Sequence, residues 1–280
     1  MHEAEFIATL RTLPLHPGAR GLSDDAAVIA IGGETLVVTH DMVAEGVHYL
    51  PGADPFDVAW KLVAVNLSDL AAKGAEPIGI LIGASLTDGS ARFLEGLRAI
   101  LTEYDVPLLG GDTIRAAGPA GFGCTAIGRA TTATVPARSG AQPGDTLYLA
   151  GEIGAARRGW LALTKGEQAS EDDIAAYLRP RPLLAQGRTL APRAHAMMDV
   201  SDGLLLDASR MAAASGVTID IDAFADDQAM RWGDDYALLL AASPLDSALP
   251  PRAIGRVLPR QAHDVLVDGR PVAGPLGYQH

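Results

Sequence analysis

Apolar residues recur at two spacings along the first half of the chain, and these spacings predict alternating strands and helices. Residues 35–39 form a β-branched run that is typical of a strand, and residues 106–110 and 121–135 are also strand-like. Residues 54–74 and 90–104 carry apolar side chains at helical spacing, and the Asp-Pro pair opening the first segment is typical of a helix start. We therefore expect a sheet covered by helices in this half, with residues 106–110 as a buried strand.

A segment rich in proline and glycine, residues 136–145, interrupts the pattern and predicts a domain boundary. The second half then predicts strands at residues 146–150 and 197–200 and helices at residues 153–165, 183–196 and 204–214. The sequence thus predicts two domains, residues 1–135 and 136–280, each built from strands and helices.

Two acidic positions are not explained by local stability. Asp69 falls near the negative, C-terminal end of the 54–74 helix, where a carboxylate is unfavourable. It is either an exposed residue paired with Lys73 or a cation ligand, and its position alone does not decide between them. Residues 201–203 are expected to cap the helix that follows, but one cap leaves Asp199 unexplained.

The charge balance narrows the choice of partners. The chain has a formal net charge of −12 and a pI near 4.9, so we expect no nucleic-acid partner. Cys124 is the single cysteine, which excludes an internal disulfide framework and favours a buried thiol in a strand. No secretory leader is recognisable, and no apolar run approaches the roughly 20 residues of a membrane span. We expect a cytoplasmic enzyme with no membrane partner.

Aspartates gather in short clusters together with glycine, serine and threonine. The clusters are residues 23–25, 39–41, 66–69, 110–112, 199–203 and 233–236. Carboxylates grouped in this way are typical ligands of Mg²⁺, which prefers oxygen and often links one or two carboxylates to substrate phosphates. The sequence contains no P-loop and no dinucleotide-binding fingerprint. The clusters therefore predict a polyphosphate site assembled from many segments through metal ions.

In chain order, these clusters resemble the thiamine-monophosphate kinase family of the ATP-binding superfamily that includes aminoimidazole ribonucleotide synthetase. The most specific match is AVNLSDLAAKGA at residues 64–75. The others are GLSDDAA at 21–27, VTHD at 38–41, EGVH at 45–48, LGGDT at 109–113, RSGAQPGD at 138–145, DVSDGL at 199–204 and GDDY at 233–236. The matches span nearly the whole chain, and their order argues against chance similarity.

The resemblance implies an α+β fold of two α/β domains. The N-terminal sheet domain, residues 1–135, would bind ATP and Mg²⁺ and form the contact of a homodimer. The C-terminal α/β sandwich domain, residues 136–280, would complete the nucleotide and substrate sites. The implied reaction is the ATP-dependent phosphorylation of thiamine monophosphate to thiamine diphosphate.

The resemblance also implies roles for individual residues, carried over by motif position. The implied magnesium ligands are Asp25, Thr39, Asp41, Asp69, Asp112, Asp199 and Asp202. The implied contacts to ATP are Tyr104, Gly111, Asp112, Arg138 and Ser201. Asp69, Asp112, Asp199 and Asp202 would carry catalysis, and His48 and Asp234 would face thiamine monophosphate.

The chain departs from the family at three places. His40 replaces a threonine that is common before the metal-binding aspartate, and Asp234 replaces a glutamate that is one methylene longer. Pro275 stands where an aromatic residue that packs on the substrate is common. Trp232 is then either a substitute stacking surface for the thiamine rings or a packed loop aromatic.

Two alternatives to this kinase remain at the level of the sequence. One is another ATP-dependent enzyme of the same superfamily, although the cysteines expected near the chain ends of two of its members are absent. The other is a catalytically weak nucleotide-binding regulator, suggested by the altered substrate side.

Overall fold

The computed structural model describes residues 3–115, 120–245 and 251–278, and its strands form two β-sheets. The strands of the first sheet are β1 (Ala27–Ile31), β2 (Glu34–Ala44), β3 (Ala75–Ser85), β4 (Leu108–Ile114) and β5 (Gly121–Ala130). Those of the second are β6 (Thr146–Ala150), β7 (Ala196–Val200), β8 (Thr218–Ile221), β9 (Ala237–Ala242), β10 (Arg252–Leu258), β11 (Val265–Val267) and β12 (Arg270–Pro271).

Helices cover the sheets and connect them. They are α1 (Glu3–Leu10), α2 (Pro55–Ala72), α3 (Ser90–Glu103), α4 (Ala155–Lys165), α5 (Glu171–Leu178), α6 (Leu184–Leu190), α7 (Leu204–Ser215) and α8 (Asp227–Arg231), with 3₁₀ segments at Pro17–Leu22 and Ala191–Arg193. No helix in the described ranges has the length and apolar character needed to cross a membrane.

The strand order is β1-β2-β5-β3-β4 in the first sheet and β12-β11-β8-β10-β6-β9-β7 in the second. Neighbouring strands are antiparallel except for the parallel pairs β3–β4 and β8–β11. Mixed sheets of this kind with helices packed on them confirm the expected α+β fold. The last strand of the first sheet along the chain ends at Ala130, and the first strand of the second sheet begins at Thr146. The domain boundary at residue 135 lies between these two strands and stays a prediction.

Helix α2 lies between the two sheets and is buried over nearly its whole length. It packs against β2, β3 and β5 of the first sheet, β7 of the second, and helices α3, α5 and α6. Leu62 and Leu70 belong to the same apolar core as Met197 and Leu240 of the second sheet. Because the two halves share this core, residues on α2 can contact motifs from both.

In the second half, the helix expected over residues 183–196 is shorter, because α6 ends at Leu190 and Ala196 already pairs in β7. Two predicted elements of the first half also differ from the observed ones. Strand β5 ends at Ala130 rather than near residue 135, and Thr131 then donates its hydroxyl to the Gly74 carbonyl at 2.6 Å. Strand β4 is not buried, since Leu108 and Leu109 are each 50% exposed. The physical reason is that β4 pairs with β3 alone and forms an edge of the sheet.

Candidate active site

Three carboxylates from distant parts of the chain meet beside α2. Asp25 precedes β1, Asp69 lies in the last turns of α2, and Asp199 lies in β7. One carboxylate oxygen from each lies within 4.8 Å of the other two. We refer to Asp25, Asp69 and Asp199 as the carboxylate cluster.

The Asn-Leu-Ser-Asp motif on α2, residues 66–69, joins these segments through side-chain hydrogen bonds. Asn66 accepts the backbone N–H of Asp41 through Oδ1 at 3.0 Å, which ties α2 to β2. Ser68 donates its hydroxyl to Asp199 Oδ2 at 2.8 Å, which ties α2 to β7. Thr39 of β2 donates its hydroxyl to Asp69 Oδ2.

Burial makes the cluster electrostatically unfavourable on its own. Desolvation raises the pKa of Asp69 well above its usual value, and the nearby charges of Asp41, Asp199 and Asp25 raise it further. The pKa of Asp199 is raised in the same way, first by burial and then by Asp25. An all-oxygen set of repelling buried carboxylates fits a hard divalent cation such as Mg²⁺, because the cation would offset the repulsion.

Asp25 differs from the other two because cations already contact it. Lys73 Nζ lies 2.6 Å from Oδ2, and the Arg138 guanidinium lies 2.6 Å from Oδ1. Burial alone would raise the pKa of Asp25, but Lys73 and Arg138 hold it below its usual value. Lys73 therefore pairs with Asp25, and the interpretation of Asp69 as an exposed partner of Lys73 is wrong.

The turn at residues 201–203 is held from inside the following helix. The N-cap of α7 is Gly203, which has no side chain, so the expected capping by Ser201 or Asp202 is wrong. Instead, Asp207 accepts the backbone N–H groups of Ser201 and Asp202 at 3.1 and 3.0 Å. Arg210 pairs with both Asp202 and Asp207, at 2.6 and 2.8 Å. Asp202 is thus oriented by a buried residue that is not itself part of the turn.

A second turn, residues 233–236, packs directly on the first. The Asp234 N–H donates to the Ser201 carbonyl at 2.8 Å, and a Cβ on Gly233 would lie 2.3 Å from that same oxygen. Asp234 has a left-handed φ of 66°, a strained conformation that is frequent at functional sites. Its Oδ2 lies 2.9 Å from Lys61 Nζ, and its Oδ1 accepts the Tyr236 hydroxyl at 3.0 Å. Its charge is therefore already balanced by Lys61.

Trp232 lies at the beginning of this second turn. Its ring packs against Trp160 of α4, with the ring centroids 4.8 Å apart and the planes inclined at 44°. Its Nε1 is buried and has no hydrogen-bond partner among the described residues. The contact with Trp160 supports a packing role, whereas a buried N–H without a partner is uncommon and leaves a donor for a ligand.

Gly111 and Asp112 are separated from the carboxylate cluster. They lie on β4, and strands β5 and β3 stand between β4 and Asp41 of β2. Three strand spacings of about 4.8 Å each place the two strands ~14 Å apart. Asp112 is exposed and does not join Asp25, Asp69 and Asp199 in their cluster.

An apolar cavity of about 660 Å³ opens beside β4. Gly111 and Asp112 lie at this cavity, and its apolar walls include Tyr49, Phe93 and Phe122. Gly111 allows a close approach of two backbones, since a Cβ there would lie 1.9 Å from the Ile82 carbonyl oxygen.

The structure places two further predicted residues at separate positions. Tyr104 follows α3, and its ring contacts Trp60 edge-on with the centroids 6.5 Å apart. Burial raises the pKa of Tyr104 to about 12. His48 lies in the loop after β2 and accepts the Ala44 N–H through Nδ1 at 3.1 Å. Glu45 and Tyr49 of the same loop line the apolar cavity.

Sequence reasoning missed several residues that hold this site together, namely Asp24, Lys61, Lys73 and Asp207. The sequence suggests Lys73 only as a possible partner of Asp69, and nothing local indicates that its partners lie near β1. Asp207 lies one helical turn after the 201–203 turn, and that spacing is the only signal that could have identified it.

Comparison with known proteins agrees with this architecture. Residues 23–130 match the family model of the AIR synthase related protein N-terminal domain, and residues 142–245 match that of the C-terminal domain. The fold and the site therefore define a two-domain protein of the AIR synthase related class. A thiamine-monophosphate kinase from Salmonella typhimurium is 36% identical over 263 residues, covering 85% of this chain and 80% of that protein. The chain belongs to the thiamine-monophosphate kinase family.

Solved structures are similar over almost the full length. A complex of AaThiL with AMPPCP and TMP has a TM-score of 0.86 at 28% identity and covers 100% of this chain and 97% of that one. A thiamine-monophosphate kinase from Stenotrophomonas maltophilia has a TM-score of 0.76 at 34% identity, with 95% of each chain covered. The recognition made from the ordered motifs is confirmed.

Proposed function

We propose that this chain transfers the γ-phosphoryl group of ATP to thiamine monophosphate, forming thiamine diphosphate. The observation that carries the proposal is the meeting of Asp25, Asp69 and Asp199 beside the 201–203 and 233–236 turns. The relatives named as thiamine-monophosphate kinases, and the AaThiL complex with AMPPCP and TMP, support both the donor and the acceptor.

The chemistry needs little from a general base. A phosphate monoester has a second pKa near 6, so the attacking phosphate oxygen is already largely ionised at neutral pH. The difficulty is the approach of two anions, and catalysis then consists mainly of neutralising charge and aligning the groups. Bound Mg²⁺ would supply that neutralisation, held by the carboxylate cluster together with Thr39, Asp41, Asp112 and Asp202.

The protein's own side chains bind and orient the substrates. Arg138 contacts Asp25 but its side chain is 22% exposed, so it can exchange this carboxylate for a phosphate oxygen of ATP. His48 accepts the Ala44 N–H through Nδ1, which orients its ring, and we assign this ring to the phosphate of thiamine monophosphate. Asp207 and Arg210 orient the turn that carries Ser201 and Asp202.

We place the ATP base in the apolar cavity beside β4. The cavity has aromatic walls, and Gly111 and Asp112 of β4 line it together with residues of β3 and β5. An ATP molecule with its base there would direct its phosphates along the sheet toward Asp41 and the carboxylate cluster. The separation of Asp112 from the cluster is then expected, because metal ions bound along a triphosphate need not share all their ligands.

We also propose a homodimer formed through the first sheet. The edge strand β4 exposes Leu109 and Ile114, and the same sheet exposes Met42 and Leu81. An uncovered edge strand with apolar side chains is a surface that proteins normally cover.

The deciding experiment is incubation of the purified protein with ATP, Mg²⁺ and a panel of phosphorylated acceptors, followed by mass analysis of the products. We expect thiamine diphosphate and ADP in equal amounts, formed only when thiamine monophosphate and Mg²⁺ are both present. A nucleotide-binding regulator would bind ATP without acceptor-dependent ADP. A different phosphorylated product would identify another enzyme of the class.

A further inference from the structure

Lys73 is one of the largest side chains in the described structure that has no exposed surface. It follows the last turn of α2, and its backbone N–H bonds the carbonyls of Asp69 and Leu70. A cation at this end of a helix is favoured by the helix dipole. The position of Lys73 is therefore set by the helix that also carries Asp69.

Three oxygen atoms surround the Lys73 ammonium. Nζ lies 2.6 Å from Asp24 Oδ1, 2.6 Å from Asp25 Oδ2 and 3.1 Å from the Met197 carbonyl oxygen. Lys73 donates hydrogen bonds to Asp24 Oδ1 and to the Met197 carbonyl, whereas its contact with Asp25 Oδ2 is an ion pair, and that buried oxygen has no hydrogen-bond partner among the described residues. Asp24 and Asp25 are themselves almost fully buried, with side chains 3% and 1% exposed.

Arg138, the other cation on Asp25, is placed differently. Its guanidinium contacts Asp25 Oδ1, and its side chain is 22% exposed, so it can turn toward a ligand in solution. Lys73 has no exposed surface, and its departure would take from Asp24 and Asp25 the one cation that contacts both of these buried carboxylates, leaving Arg20 on Asp24 and Arg138 on Asp25. Asp25 consequently has one oxygen that can be released and one that cannot.

We propose that Lys73 is a built-in cation of the active site, whose ammonium permanently occupies Asp25 Oδ2 and replaces one divalent ion there. Asp25 then offers only Oδ1 to a metal, and one negative charge beside the cluster is balanced by the protein itself. The inference rests on the proposed metal site and concerns how many ions that site takes.

The test counts bound metal directly. Mn²⁺ bound per chain is measured by electron paramagnetic resonance in the presence of AMPPCP, for the wild type and for Lys73→Met, which has a similar length and no charge. We expect Lys73→Met to bind one more Mn²⁺ per chain, and its melting temperature to rise more with Mn²⁺ than that of the wild type. A merely structural lysine would change stability without changing the number of ions.

Two further variants keep the result interpretable. The double variant Lys73→Met with Asp24→Asn removes one charge of each sign, so its charge is balanced while Asp25 Oδ2 is freed, and it too should gain one Mn²⁺. Lys61→Met is the matched control, because Lys61 is another buried lysine of α2 but pairs with Asp234. It should bind as many ions as the wild type.

Each outcome decides one question. Equal numbers of Mn²⁺ in the wild type and both Lys73 variants, or the same gain in Lys61→Met, would overturn the role of Lys73. If neither Lys73 variant folds without metal, Mn²⁺ should restore folding, and its failure to do so counts against the proposal. A wild type that binds no Mn²⁺ with AMPPCP would instead refute the metal site on which the inference rests.

Discussion

Asp69 and Asp199 are unfavourable to folding in the metal-free chain, yet the proposed mechanism depends on them. Both are buried beside other carboxylates, and burial first, then the repulsion by those carboxylates, raises their pKa values. Asp112 belongs to the same set of implied ligands but lies exposed on an edge strand. We therefore expect an Asp→Asn substitution to change thermal stability at the buried positions but not at Asp112.

We expect Asp69→Asn and Asp199→Asn to lower kcat by at least on the order of 10², as for the loss of one element of electrostatic stabilisation. Each should also raise the melting temperature in EDTA, because a buried charge among like charges is removed. Asp112→Asn should show the same loss of kcat without the gain in stability. Steady-state kinetics and thermal melts check both, and wild-type activity in all three variants would refute the assignment.

Trp232 either packs in its loop against Trp160 or offers a stacking surface to the thiamine rings, and a variant distinguishes these two roles. We expect Trp232→Ala to raise KM for thiamine monophosphate roughly 2- to 13-fold, the equivalent of one aromatic contact of about 0.5–1.5 kcal/mol. KM for ATP should stay nearly unchanged, because only binding of one substrate is affected. Equal changes in both KM values, or none, would assign Trp232 to packing against Trp160.

At the scale of elements, a glycine allows α2 to pack closely against α6. A Cβ on Gly187 of α6 would lie 2.1 Å from the Ala71 carbonyl oxygen of α2. Two helix backbones can approach this closely only where one of them carries glycine. The alignment of α2, and with it the carboxylate cluster, depends on this contact.

We expect Gly187→Ala to lower the free energy of unfolding by about 1–3 kcal/mol, the usual effect of overpacking. Gly121→Ala serves as the control, because a Cβ at Gly121 meets nothing within 4 Å. Urea denaturation of both variants gives the comparison. Equal free energies of unfolding for the two variants would show that α2 and α6 can move apart to accept the extra methyl group without a loss of stability.

Asp235, which accepts backbone N–H groups at the start of α4, predicts that the free energy of unfolding depends on pH. Burial, and then the charge of Asp234, raise the pKa of Asp235 to about 7, against hydrogen bonds from Gly154 and Ala156. Between the unfolded value near 3.9 and this value, the folded chain keeps a proton that the unfolded chain has lost. Asp235 therefore contributes stability that falls as the pH rises through this window.

We expect the difference in unfolding free energy between wild type and Asp235→Asn to change by about 2 kcal/mol from about pH 5 to pH 7, with the wild type becoming relatively less stable. Denaturant titrations in EDTA at several pH values measure this difference. A difference that does not vary with pH would show that Asp235 is ionised throughout.

At the scale of the whole molecule, the first sheet leaves an apolar face and an edge strand uncovered, whereas the second half packs its sheet against helices. We expect the purified protein to have the mass of a dimer in light scattering at micromolar concentration. Ile114→Lys on β4 should shift it toward monomer, because a charge would be buried in the contact. A monomeric wild type would contradict the proposed dimer.

Local chemistry made much of this protein predictable from its sequence. The Asp-Pro start and apolar spacing predicted α2 to within two residues of its observed bounds, because capping and periodicity are local. The ordered aspartate motifs identified the family, because ligands for phosphate-bound metals require oxygen donors at set positions. The number of strands that separate Asp112 from Asp41 was not predictable, since strand order depends on pairings between distant segments.

The partners of charged side chains were decided by the tertiary structure alone. Lys73 has Asp69 four residues away, yet it pairs with Asp24 and Asp25, which precede β1. Local spacing favours the nearby carboxylate, but burial decides the pairing, because a charge removed from water must meet whichever opposite charges the packed core brings to it. For the same reason, the motif predicts Asp25 as a ligand, while the cation that already contacts one of its oxygens was visible only in the fold.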